Sequence, residues 1–286
     1  VRVAIGIEYA GTRFSGWQRQ SSAPSIQAEV ERALATVAAH PVELTCAGRT
    51  DRGVHALAQV AHFDTPAVRP MRGWILGANS GLPPEIAVQW AALVPDDFHA
   101  RYSAVRRTYR YLILNRPTRS PVLDARAWWV YRPLEAGRMH AAAQALVGEH
   151  DFSAFRASEC QSRVPIRRLE RIDVRREGER VTVEVTANAF LHHMVRNIVG
   201  TLAEVGDGSR PVEWVAEALA TRDRRLSGPT APPDGLYFAA VEYPAQFGVP
   251  PAGWAGGASP AAAAPGELPV SAIIPPPAPS SGRGRE

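Results

Sequence analysis

The stretch that decides the fold reads Val42-Glu43-Leu44-Thr45-Cys46-Ala47-Gly48-Arg49-Thr50-Asp51-Arg52-Gly53-Val54-His55-Ala56-Leu57. A short strand pattern at 42–45 runs into a polar loop, and a second strand pattern follows at 57–63. Gly48 and Gly53 frame the loop, so the backbone there can turn sharply and approach a ligand closely. Between them sits one carboxylate, Asp51, with Arg49 and Arg52 on either side. An aspartate has an unperturbed pKa of about 3.9, and neighbouring guanidinium groups favour its charged form. Asp51 is therefore expected to be ionised at neutral pH and available as a nucleophile or base. A plainer reading stands beside this one: a solvated turn in which Asp51 bonds its own backbone.

Outward from this loop, strand and helix patterns alternate. Upstream, Val3, Ile5, Ile7 and Tyr9 share one face of a first strand. Ser25 is placed to cap a helix whose apolar stripe is Ile26, Val30, Ala33, Leu34 and Val37. Downstream, a weaker helix pattern at 71–80 precedes a strand at 86–92. The second half repeats the rhythm. Tyr109, Tyr111 and Ile113 lie on one strand face, 128–131 reads as another strand, and Met139, Ala142, Ala143, Leu146 and Val147 mark a helix. The segments 172–175 and 181–187 look like a hairpin pair. Met194, Ile198, Leu202 and Val205 give a last helical stripe, and 236–243 closes the core as a strand. This pattern predicts an α+β class built from two α/β subdomains with largely antiparallel sheets, residues 1–103 and 104–244.

From residue 245 the composition changes. The stretch 245–286 holds 9 of the 25 prolines, with Ala, Gly and Ser between them. Too little apolar surface is available there to offset ordering entropy, so a disordered tail is expected. Two arginines and two acids lie in the tail, so the net charge of +4 belongs to the core. All 32 basic residues of the 286 are arginine, planar forks suited to phosphate and to stacking. The two cysteines, Cys46 and Cys160, form no CxxC pair, which argues against a zinc module and a disulfide scaffold and fits a reducing compartment. The first residues alternate like a strand rather than taking the form of a signal peptide. No apolar run approaches the roughly 20 residues that span a bilayer. A soluble, cytoplasmic protein is the expectation.

Other segments mix chemistry-bearing residues. In Asn188-Ala189-Phe190-Leu191-His192-His193-Met194-Val195-Arg196-Asn197, the pattern sets His192, His193 and Arg196 off the apolar helix face. Paired histidines invite a metal reading, but neighbours on a helix diverge by about 100°, whereas helical zinc pairs use i, i+4 spacing. No carboxylate stands at ligand spacing in that segment, so no metal is expected. Arg196 is free to pair with a catalytic carboxylate. In Arg106-Arg107-Thr108-Tyr109-Arg110-Tyr111, arginines alternate with aromatics, a mixture that serves phosphates and stacked bases. A half-buried strand with tyrosines in the core explains the same pattern. The loop Thr12-Arg13-Phe14-Ser15-Gly16-Trp17-Gln18-Arg19-Gln20 repeats the mixture, with Trp17 expected outside the core. Arg163, Arg167, Arg168 and Arg171 form a further basic run.

Taken in order, these segments resemble the TruA family of tRNA pseudouridine synthases over roughly residues 1–243. The resemblance rests on Gly48-Arg49-Thr50-Asp51-x-Gly53-Val54-His55, Phe14-x-Gly16-Trp17-Gln18-x-Gln20, Phe98-His99-Ala100-Arg101, Tyr109-Arg110-Tyr111, the 188–197 segment and Gly235-Leu236-Tyr237. It implies two α/β subdomains flanking a central RNA-binding cleft, a homodimer, and an isomerase that needs no cofactor. The implied substrate is uridine at positions 38, 39 and 40 in the anticodon stem-loop of tRNA. By the same resemblance Asp51 is the catalytic aspartate, Arg196 pairs with it, and Tyr109 stacks on the target base. Arg49, Trp17, Arg19, His55, Arg110 and His193 fall on the substrate-binding side. Two other readings are weighed against it: a non-catalytic RNA-binding module with a similar arginine-aromatic surface, and a metal-dependent hydrolase using His192 and His193.

Overall fold

The computed structural model describes residues 1–160 and 162–251. The N-terminal half contributes β1 (Arg2–Tyr9), α1 (Ile26–Ala38), β2 (Thr45–Cys46), β3 (His55–Asp64), α2 (Met71–Gly81) and β4 (Ile86–Val94). The remainder contributes β5 (Arg106–Asn115), β6 (Trp128–Val130), α3 (Ala136–Ala143), β7 (Gly148–Asp151), β8 (Ile166–Glu177), β9 (Arg180–Ala187), α4 (Met194–Gly206), α5 (Trp214–Thr221) and β10 (Leu236–Glu242). The fold is α+β. Its strands join one 10-stranded sheet in the order β4-β1-β3-β10-β5-β9-β8-β7, with β2 on β3 and β6 on β5. Among the described residues, the pairings are antiparallel except β10 with β3 and β5 with β6.

The last strand does not close an edge. β10 lies in the middle, with Tyr237 opposite His55 of β3 on one side and opposite Arg110 of β5 on the other. It thereby welds the strands of the two halves into one sheet. Two hydrophobic clusters sit on that sheet. One gathers α1 and α2 residues such as Ile26, Leu34 and Trp74 with Ile5, Ile7 and Phe63. The other gathers Met139, Met194, Ile198, Leu202 and Val215 of α3, α4 and α5 with Tyr111, Ile113 and Val183. Tyr109 packs against both clusters.

Local signals explain most element ends. The Ser25 Oγ accepts from the Ala28 amide at 3.4 Å, capping α1. The basic run 167–171 lies within β8, whose exposed side carries the charges while Leu169 and Ile172 are buried. Trp17, expected outside the core, is buried to 1% exposure against Tyr9, because the polar loop around it folds back over β1. The expected tail lies outside the described residues from 252 onward. Of its first residues, Phe247 is buried with its ring 5.4 Å from that of Phe98. Among the described residues no helix is long and apolar enough to cross a membrane.

Candidate functional site

Residues 47–54 connect β2 to β3, and buried polar contacts fix the loop. Gln59, a buried amide in β3, donates from Nε2 to the Gly48 carbonyl at 2.6 Å and accepts from the Gly48 amide at 3.4 Å. The Tyr9 hydroxyl lies 2.8 Å from Thr50 Oγ1, and the Trp17 amide donates to the Thr50 carbonyl at 3.0 Å. Gly16 makes this last approach possible: its φ is +98°, and a Cβ there would stand 2.6 Å from the Thr50 oxygen. With Thr50 buried and clamped, Asp51 is held half-buried at the rim, and the Val54 amide closes the turn onto the Asp51 carbonyl at 3.1 Å.

The partners of Asp51 come from the other half of the chain. His192 Nε2 lies 3.3 Å from Oδ1, His193 Nε2 lies 3.3 Å from Oδ2, and Arg196 Nη1 lies 3.7 Å from Oδ2. This corrects two expectations. The flanking Arg49 and Arg52 are exposed and make no ion pair among the described residues, so they are not what holds Asp51 ionised. The histidines do not diverge as helix neighbours do, because α4 starts only at Met194. His193 is the residue before it, with φ 60° and ψ 4° in the left-handed region, and this backbone brings the two rings to 4.0 Å between centroids. The carboxylate missing from their own segment is Asp51, supplied across the sheet. Among the described residues, Asp51, His192 and His193 are the group whose ligand-type atoms all fall within 4.8 Å of one another.

The electrostatics favour an ionised Asp51. Burial alone would raise its pKa, but the hydrogen bond from His193 and the charges of His193, His192 and Arg196 outweigh it, and the net shift is downward. Arg196 is held in turn, its Nε donating to the Ala231 carbonyl at 2.8 Å. Tyr109 is half-buried, its ring meeting Phe190 edge-on at 4.9 Å and Phe238 at 5.2 Å. Burial pushes its phenol pKa up, and the charge of Asp51 adds to the shift. Among the described residues its hydroxyl has no hydrogen-bond partner.

The other residues singled out from the sequence are distributed differently. His193 belongs to the Asp51 cluster and Arg49 stands exposed in its loop. Arg19 is exposed and paired with Glu31 at 2.9 Å. Arg110 is buried, donates to Glu184 from Nε and Nη2, and takes the face of β5 opposite Tyr109. His55, the first residue of β3, is buried beside β10, accepting from the Gly11 amide at 3.1 Å and stacked on Tyr237 at 4.7 Å. Trp17 props the loop from beneath. Sequence reasoning left out His192 as a partner of Asp51, and the Tyr9–Thr50–Gln59 set altogether. Gln59, between Ala58 and Val60 in a largely buried strand, was the available signal, since a buried amide needs partners.

Comparison with known proteins agrees with the resemblance. Residues 5–103 and 142–244 match the family model described as tRNA pseudouridine synthase. The tRNA pseudouridine synthase A of Methylococcus capsulatus is 57% identical over 249 residues, covering 87% of this chain and 92% of that protein. The protein of the same name from Paraburkholderia xenovorans is 55% identical with the same coverage. That of Pseudomonas aeruginosa is 51% identical over 250 residues, covering 87% of this chain and 88% of its own.

Proposed function

Since the chain belongs to the tRNA pseudouridine synthase family, and so is an isomerase of tRNA uridines, we propose that Asp51 is its catalytic carboxylate and the anticodon stem-loop its substrate, at positions 38, 39 and 40. The observation that carries this reading is the meeting at Asp51 of three cationic or imidazole groups from the far half of the chain. A solvated turn would not be so attended.

Pseudouridine formation breaks the N1–C1′ bond of uridine, turns the uracil and rejoins it through C5. Every atom is retained, so the chemistry calls for neither redox equivalents nor nucleotide energy, and the enzyme is read as cofactor-free. The target base must leave its stack, at a cost of a few kcal/mol, before a carboxylate reaches its sugar. Tyr109 supplies the aromatic surface that receives it, and the unpaired Arg49 and Arg52 supply phosphate contacts. Cleavage develops oxocarbenium-like charge at C1′, which an adjacent carboxylate stabilises. Asp51 serves by attack at C1′, addition to C6 of the base or removal of the C2′ proton. Arg196, His192 and His193 hold the carboxylate ionised and aimed.

The residues that meet at Asp51 come from 1–103 and 104–244, which makes the junction of those parts the RNA cleft in this reading. The assembly is read as a cytoplasmic homodimer, which sedimentation of the purified protein tests. The activity is tested by incubating unmodified tRNA with the protein and mapping pseudouridine. Conversion at 38–40 is expected, and conversion elsewhere alone would overturn the site assignment. Tritium release from C5-labelled uridine separates the enzyme from a non-catalytic RNA-binding module, which would bind and release nothing.

A further inference from the structure

We propose that Asp51, His192 and His193 also form a reversible, inhibitory binding site for a borderline-soft divalent cation such as Zn2+. The inference rests on Asp51 being the catalytic carboxylate, because inhibition follows only if the captured oxygen is the reacting one. Two imidazole nitrogens and a carboxylate are the donor set that Zn2+ takes in open, three-ligand sites. Ligand bonds of about 2.0–2.2 Å at tetrahedral angles set neighbouring donor atoms about 3.3–3.5 Å apart. His192 Nε2 stands 3.3 Å from Oδ1 and His193 Nε2 3.3 Å from Oδ2, and the ligand-type atoms of the three residues all lie within 4.8 Å of one another. Each nitrogen thus stands at coordinating distance from one carboxylate oxygen, and the proposed ion closes the set by side-chain rotation.

The convergence is built into the fold. The left-handed backbone at His193 turns its ring beside that of His192, and the clamped Thr50 fixes the Asp51 loop opposite them. A second histidine pair shows what is special here. His62 and His99 approach to 5.0 Å, but both Nδ1 atoms already accept from backbone amides, and among the described residues no carboxylate joins them in a cluster. In the Asp51 cluster, by contrast, both Nε2 atoms face the carboxylate. Arg196, 3.7 Å from the same carboxylate, repels a cation and competes for Oδ2. That weakens the site enough to make the ion a reversible occupant that withdraws the carboxylate from the sugar.

One further donor is close. Cys160 Sγ accepts from the His192 amide at 3.5 Å, so a thiol must be separated from the proposed set. The test uses tag-free, chelator-treated protein of full length. Calorimetric titration with ZnCl2 and the absorption bands of added Co2+ read binding in the absence of RNA. The parent is expected to take up one equivalent, with affinity falling at least about tenfold in each of Asp51→Asn, His192→Gln and His193→Gln. Cys160→Ser is expected to bind as the parent does. Pseudouridine formation by the parent should fall over the same Zn2+ range and return on adding chelator. No saturable uptake by the parent, uptake indifferent to Asp51→Asn, or uptake lost only in Cys160→Ser would each overturn the proposal. Failure of the underlying reading shows separately, as turnover that survives Asp51→Asn in metal-free buffer.

Discussion

Two neighbourhoods of this molecule use the same residue types to opposite ends. Where β10 meets β3 and β5, the side chains of His55, Tyr237 and Tyr111 find partners in the backbone, and Arg126 lies against His55. His55 Nδ1 accepts from Gly11 and its Nε2 faces the Asp234 carbonyl at 3.2 Å. The Tyr237 hydroxyl donates to the Arg126 carbonyl and the Tyr111 hydroxyl to that of Pro232, both at 2.7 Å. Around Asp51, a similar set of histidines, an arginine and a tyrosine is left incomplete. The Tyr109 hydroxyl has no partner among the described residues, Arg49 and Arg52 are unpaired, and a half-buried carboxylate faces three basic groups at 3.3–3.7 Å. The two neighbourhoods hold the same residue types and differ in hydrogen-bond saturation. A saturated group has nothing left to offer a substrate.

The largest effect is expected of Asp51→Asn. The change keeps the size and removes the charge, so turnover should drop by at least about a thousandfold while tRNA affinity stays within a few fold. Single-turnover kinetics beside a binding assay measure both, and a rate within tenfold of the parent would return Asp51 to the plain-turn reading. Arg196→Met comes next. It removes a guanidinium that both faces Asp51 and bonds Ala231, so the rate should fall about a hundredfold. Thermal unfolding belongs beside that measurement, because the Ala231 carbonyl loses its side-chain donor too. Near-parental turnover in this variant would show that the two histidines alone orient Asp51.

The strands and helices were readable where one period dominated. The stripe Ile26, Val30, Ala33, Leu34 predicted α1 with its Ser25 cap, and Met194, Ile198, Leu202, Val205 predicted α4. The α+β class followed from the same patterns. The central place of β10 was not readable, because β10 pairs with strands distant in sequence and its own alternation says nothing of which ones. β7 escaped because it is four residues long and mostly polar, and α5 because it is only eight residues long and apolar at most positions, so no single face stands out. Motifs single out Asp51, Arg196 and Tyr109, and the structure sets Arg196 3.7 Å from Asp51. The closeness of the histidine pair was not legible, because it depends on a left-handed backbone at His193, a conformation in which histidine is enriched but still uncommon. Trp17 was misjudged because its neighbours are polar in sequence while its ring packs on Tyr9 in space.

Acid separates the two neighbourhoods by stability. Burial, then the charge of Arg126, lowers the His55 pKa from 6.5 to about 4. Between those values the unfolded chain binds a proton that the folded chain refuses, so stability falls as pH falls through that window. At about 1.4 kcal/mol per unit the loss approaches about 3 kcal/mol at the acid end. His62, also lowered to about 4 by burial first, adds in the same direction. Asp51 has the opposite history: its folded pKa lies below 3.8, so its contribution is present above that value and fades only as pH falls through the lower folded one. Melting temperature followed from pH 7 to pH 4 should therefore fall before Asp51 takes its proton. A flat profile across that interval would show that His55 accepts a proton without unfolding, and the saturated neighbourhood would lose its defining property.

The smallest effect concerns two tyrosines on one face of β5. Tyr111 is fully buried and its hydroxyl donates to the Pro232 carbonyl, so Tyr111→Phe strands a buried acceptor and should cost about 1–3 kcal/mol of stability. The same substitution at Tyr109 strands nothing, because the hydroxyl there has no protein partner among the described residues. Its folded stability should stay within about 0.5 kcal/mol of the parent. The ring keeps its stacking surface, worth about 1–3 kcal/mol toward a base, so tRNA affinity should also hold. What the Phe variant loses is the hydroxyl, which burial and the charge of Asp51 keep protonated and so ready to donate. If that hydroxyl bonds the flipped uracil or moves the C5 proton, turnover should slow by about tenfold or more with binding unchanged. Tyr109→Ala should weaken both binding and rate. Single-turnover kinetics with saturating enzyme, run on both variants beside melting curves, decide the matter. A silent Tyr109→Phe with a damaged Tyr109→Ala would assign Tyr109 to stacking alone, and a silent Tyr109→Ala would make it a strand residue of the same kind as Tyr111.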